Sequence, residues 1–156
     1  MSELAPVAMK KPTTVEVRLP SRMGYEKVAM STAAAVAKLM GFREDRVEDL
    51  KTAIAEACIN AIEHGNRLNE KLSVGVVLAV GADELEIKVI DDGKGAKTLP
   101  GKVSKPDIDR KMHGEEGPRG LGMFLIQALV DEAEWVVGSD GKSSYVRLVI
   151  RLDKDA

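Results

Sequence analysis

One cysteine, Cys58, occurs in 156 residues. It cannot form an intrachain disulfide, and it falls on the apolar side of a helical pattern, as a small core side chain does. No run of 18 apolar residues occurs, which excludes a membrane-spanning apolar helix. The first residues lack the long apolar stretch of a secretory leader, so a cytoplasmic protein is expected. Charge of one sign is missing too. Lys and Arg number 23 against 25 Asp and Glu, a net charge of −2, and nothing in that balance suggests a nucleic-acid or anionic-membrane partner. No internal repeat and no second domain can be traced. What is present is ordinary for a globular domain: 44% apolar and 31% charged residues, in a chain long enough for one sizeable core.

The most informative stretch is residues 47–66. At helical spacing, Val47, Leu50, Ile54, Cys58 and Ala61 share one side. Asp49, Glu56, Asn60 and Glu63 share the other. Glu56 and Asn60 are four apart and lie one turn above each other. A carboxylate above an amide can hold a water or a divalent cation. Ala53 and Ala57 leave room for a ligand beside them. An amphipathic helix with a wet polar face fits the same residues.

Around this helix the pattern is simple. Residues 1–13 lack periodicity and contain Pro6 and Pro12, so a flexible tail is expected, with 14–156 as one domain. Val15, Val17 and Leu19 alternate as a strand, Pro20 ends it, and Ser21 can cap a helix over 22–40. That helix shows Tyr25, Val28/Ala29, Val36 and Leu39/Met40 at helical spacing, and Gly41 stops it. His64 lies in the last turn of the central helix, where a structural role is the commoner one. Leu72, Val74, Val76, Leu78 and Val80 alternate, Gly81-Ala82-Asp83 turns the chain, and Leu85, Ile87 and Val89 alternate again. This is a hairpin with one dry face, and it packs on the helices. A helix follows from Leu121 to about Asp131, then strands over 134–137 and 144–152. The expected fold is an α/β (α+β) two-layer sandwich, with a mixed, largely antiparallel sheet and three helices on one face.

Residues 92–116 break the periodicity. They include Pro100, Pro106 and four glycines, and residues 94–119 carry seven Lys/Arg against four Asp/Glu. A long, polar, locally basic loop is either a solvated connection or a lid that closes over polyphosphate. Two glycine motifs flank it. Asp91-x-Gly93-x-Gly95 ends a strand: the strand fixes the carboxylate, and the glycines let a flat ring approach the backbone. Gly117-x-x-Gly120-x-Gly122 opens a helix, where free N–H groups can hold phosphate. It is neither a Walker loop, since Val136 stands where the first glycine before Gly141-Lys142-Ser143 would be, nor a dinucleotide fingerprint.

In this order, Glu56-x-x-x-Asn60, Asp91-x-Gly93-x-Gly95 and Gly117-x-x-Gly120-x-Gly122 resemble the N, G1 and G2 boxes of the GHKL, or Bergerat-fold, ATPases. Residues 40–65 and 117–132 are similar to the bacterial anti-sigma-factor serine/threonine kinases of that superfamily. The resemblance implies ATP and Mg²⁺ as cofactors. It makes Asn60 the Mg²⁺ ligand and Glu56 the general base toward a substrate hydroxyl. Asp91 would read the adenine amine, with Gly93 and Gly95 lining the ring. Gly117, Gly120, Leu121 and Gly122 would line the phosphates, with Arg119 near their terminal end and Lys27 near a sigma-contacting position. It implies a sigma factor and a small STAS-type anti-anti-sigma substrate as partners, and a homodimer. The alternative is an ATP-gated binding module with little or no transfer. A histidine kinase would need a phosphoacceptor helix pair, and a clamp ATPase a transducer domain; neither can be traced.

Overall fold

The structure is a computed structural model and describes residues 13–92, 118–137 and 144–152. Elements follow in the order β1 (Thr13–Pro20), α1 (Glu26–Met40), α2 (Glu44–Asn60), β2 (Ser73–Val80), β3 (Glu84–Asp91), α3 (Pro118–Leu129), β4 (Glu132–Val137) and β5 (Ser144–Arg151). A π-helical turn, Ala61–Gly65, extends α2. The expected tail and the basic loop lie outside the described residues, apart from Thr13 and Asp92.

The strands form one sheet in the order β1-β2-β3-β5-β4. All four pairings are antiparallel, so the mixed, largely antiparallel sheet expected is antiparallel throughout these strands. Alternation decides its faces. Val74, Val76 and Leu78 of β2, Leu85, Ile87 and Val89 of β3, and Val146, Leu148 and Ile150 of β5 point into one core. The register lines them up in rows. Val17, Val76, Val89, Val146 and Trp135 form one. The next row runs Leu19, Val74, Asp91, Ser144 and Val137. Asp91 therefore continues the inward series Leu85, Ile87, Val89 and carries a carboxylate onto the core face. On the outer face the strands are tied by charge. Arg147 Nε meets Glu86 at 2.6 Å and Arg147 also meets Glu132.

The helices cover the inner face with small residues. In α2 the buried stripe is Val47, Leu50, Ala53, Ile54, Ala57 and Cys58, continued by Ala61. This matches the expected apolar side. Ala53, expected beside a ligand, is instead fully buried core. In α1 the expected stripe is rotated. Ala29, Ala33, Ala34, Val36 and Ala37 are buried, while Tyr25, Val28 and Leu39 are exposed. Alanines let α1 approach α2 closely, and that contact outweighs burial of the larger side chains. The helix starts at Glu26, not residue 22, and Ser21 does not cap it: the cap residue is Tyr25, without a side-chain bond. Gly41, at φ +96°, does end α1, with Phe42 N–H donating to Ala37 O at 3.1 Å.

Candidate functional site

The site begins with the stacked pair on α2. Glu56 and Asn60 lie on its partly exposed side, and Asn60 Nδ2 is buried with no hydrogen-bond partner among the described residues. A buried amide N–H without a partner is costly in a folded protein and marks a place where an acceptor on a ligand completes the bonding, while the Oδ1 of the same amide can face a cation. Facing the pair is Gly122 of α3. A Cβ on Gly122 would come within 2.9 Å of Glu56 Oε1 and 3.8 Å of Asn60 Nδ2. Only a glycine lets the α3 backbone sit this close without displacing the carboxylate. The helix begins at Pro118, so the motif Gly120-Leu121-Gly122 forms its first turns rather than a preceding loop. Proline suits a first helical position because its missing N–H has no intrahelical partner to lose.

Beside this pair, Ala57, Asn60, Ala61, Val89, Asp91 and Trp135 line a cleft open to solvent, bounded by Ser144, Tyr145 and Val146. Ala57, Ala61, Val89, Trp135 and Val146 give it an apolar floor, and Asn60, Asp91 and Ser144 supply polar groups, a combination that suits a flat heteroaromatic ring. Asp91 is 6% exposed. Gly65 of the π-turn packs against it, and a Cβ there would lie 2.8 Å from Asp91 Cβ and nearer still to the carboxylate.

Asn60 and Asp91 thus line one cleft, and Glu56 and Gly122 lie beside Asn60. Arg119, Gly120 and Leu121 lie in the first turn of α3. Gly93, Gly95 and Gly117, with the expected lid, lie outside the described residues. His64 sits in the π-turn, half-exposed, 4.0 Å from Glu63, and Lys27 is exposed on α1. The reading of the sequence missed Ser144, Tyr145, Trp135 and Gly65. Ser144 is the register partner of Asp91, and inward parity back from Val146 would have flagged it once β3 and β5 were paired. The donor set fits a hard cation beside phosphates: oxygen atoms on one or two side chains, the bulk of the shell left to substrate and water. Asn60 would hold it through Oδ1, leaving the Glu56 carboxylate one turn away free to take a proton.

Comparison with known proteins follows the same lines. The family model described as histidine kinase-like ATPase domain matches residues 19–150. A serine-protein kinase RsbW from Bacillus mycoides is 36% identical over 129 residues, covering 81% of this chain and 79% of the relative. One from Bacillus cereus is 34% identical over the same coverage. Among solved structures, the RsbU and RsbW domains of a Mycobacterium tuberculosis protein superpose with a TM-score of 0.61 at 22% identity. That match covers 90% of this chain and 32% of the other, and shows the shared fold. With one family model spanning most of its length and relatives aligned over four fifths of it, this chain belongs to the GHKL superfamily, in the histidine kinase-like ATPase domain family, alongside the RsbW-type serine-protein kinases.

Proposed function

We propose that this protein is an ATP-dependent serine/threonine protein kinase that doubles as an anti-sigma factor. The carrying observation is the convergence of a carboxylate, an orphaned amide and a glycine, Glu56, Asn60 and Gly122, beside a cleft that Asn60 and Asp91 line. The names of its relatives support the kinase reading. Asp91 accepts a hydrogen bond from the adenine amine over the apolar floor, with Gly93 and Gly95 beside the ring. The N–H groups opening α3, at Arg119, Gly120 and Leu121, with Gly122 and the preceding Gly117, receive the phosphates. Arg119 serves the terminal phosphoryl group. Asn60 holds Mg²⁺, which when bound neutralises phosphate charge. Glu56 takes the proton from a serine or threonine hydroxyl as its oxygen bonds to the terminal phosphorus and ADP leaves. The substrate is a small anti-anti-sigma protein, the second partner a sigma factor, and the working form a cytoplasmic homodimer.

The test pairs binding with transfer. Loss of a charged hydrogen bond is worth about 1.5–3 kcal/mol, so Asp91→Ala weakens Mg-ATP binding roughly tenfold to a hundredfold in calorimetry. Glu56→Gln binds Mg-ATP nearly normally but slows single-turnover transfer by about 10²–10⁴. Unchanged binding in the first variant would overturn the adenine assignment. Full transfer in the second would leave an ATP-gated binding module.

A further inference from the structure

The π-turn ends at a residue that the nucleotide reading leaves unused. Asn66 is 1% exposed and Ser21 is fully buried. Asn66 Nδ2 donates to Ser21 Oγ at 2.7 Å and to Ser73 O at 3.0 Å. Asn66 Oδ1 accepts from Asp92 N–H at 2.9 Å. Ser21 Oγ in turn donates to Leu72 O at 2.7 Å. Both amide hydrogens and the amide oxygen are used, and the hydroxyl gives one bond and takes one. Four segments meet there: the end of β1, the start of β2, the end of β3 and the π-turn.

The placement matters because of its neighbours. Asn66 follows Gly65, which packs on the Asp91 carboxylate, and it holds the backbone N–H directly after Asp91. Arg67 and Leu68 then adopt φ +53° and +60°. Two successive non-glycine residues in the left-handed region persist only where their surroundings hold them. The π-turn itself, with Asn66 N–H donating to Ala61 O at 2.8 Å, is the bulge that turns Asn66 inward.

We infer that Asn66 is a positioning residue for nucleotide recognition: its buried amide, anchored on Ser21, fixes the end of β3 so that the Asp91 carboxylate stays aimed into the cleft. The inference rests on the proposed ATP site. It predicts coupling between positions 66 and 91, which a generic loss of stability does not produce.

The experiment is a double-mutant cycle in the full chain, read by calorimetric affinity for Mg-ATP and Mg-GTP and by thermal denaturation. Asn66→Ala should lower ATP affinity about tenfold, the scale of one buried hydrogen bond, and lower the preference for ATP over GTP with it. In the Asp91→Ala background the same substitution should change ATP affinity by less than about twofold, since no adenine hydrogen bond remains to misplace. Equal losses in both backgrounds, or a lower melting temperature with ATP affinity kept, overturn the inference alone. Should Asn66→Ala fail to fold, Ser21→Ala tests the anchor: a smaller loss that again requires Asp91 supports it, and unchanged affinity overturns it. A wild-type chain without ATP binding, or Asp91→Ala without effect, overturns the proposed function instead.

Discussion

Cys58 shows how far burial alone can set a residue's chemistry. Its thiol lies in the core stripe of α2, and desolvation, with a smaller push from the Glu26 charge, raises it from 9.0 to about 12. The thiolate is the reactive form, so the folded protein should resist alkylation by iodoacetamide near pH 8 and label readily once unfolded in urea. Rapid labelling of the folded chain would contradict the burial. The sign of the pH effect follows. The fold keeps the proton that the unfolded chain releases, so this contribution to stability is fully present below about pH 9 and is lost as pH rises toward about 12. The urea midpoint should therefore fall more steeply with alkaline pH than in Cys58→Ala. Asp45 shifts the other way, held below its usual value by the hydrogen bond from Arg43. It is exposed, and solvent screens what that pair contributes.

Helix α3 shows what an element adds beyond its residues: it brings a backbone, not a side chain, to the pair on α2. Gly122→Ala separates stability from function. Alanine is the better helix former by about 1 kcal/mol, and the one tight contact of its Cβ would be with the movable end of the Glu56 side chain, Asn60 Nδ2 lying at ordinary contact distance. Melting temperature should hold or rise slightly, while single-turnover transfer falls by about tenfold or more as Glu56 is turned away. Transfer at the wild-type rate would remove Glu56 from the chemistry. Elements differ in how well the sequence announces them. The strands and the α2 stripe are legible because large aliphatic residues repeat at the right period, and Asp91's inward direction follows from the parity of β3. The true face of α1 is not, since alanines carry little hydrophobic signal beside Val28 and Leu39. The π-turn has no compositional mark. Ser21 looks like a helix cap because its partners are not local: Leu72 O lies 51 positions away and Asn66 45. Trp135 and Ser144 join the site only through strand pairings that the sequence alone leaves open.

At the scale of the molecule, the cleft is built from α2, its π-turn, β3, β4 and β5, so its lining runs from Ala57 to Val146, and α3 packs beside it against Glu56 and Asn60. A ligand that touches all of these is lost whenever the sheet and helices separate, and it must stabilise the whole fold by mass action. At Mg-ATP concentrations about a hundred times the dissociation constant, the gain is about 2.7 kcal/mol. For a chain of this size, about 2–4 °C per kcal/mol converts that into a rise in melting temperature of about 5–11 °C. Asp91→Ala at the same ATP concentration, if its affinity is a hundredfold lower, should gain only about 0.4 kcal/mol, or about 1–2 °C. Trp135 is the single tryptophan, 4% exposed and part of the cleft wall. Its fluorescence can therefore follow the transition and respond to nucleotide before any heating. Asn66→Ala should fall between the two proteins in its ATP-dependent rise, whatever its melting temperature without ligand. An equal rise in wild type and Asp91→Ala would mean that ATP stabilises the fold from somewhere other than this cleft.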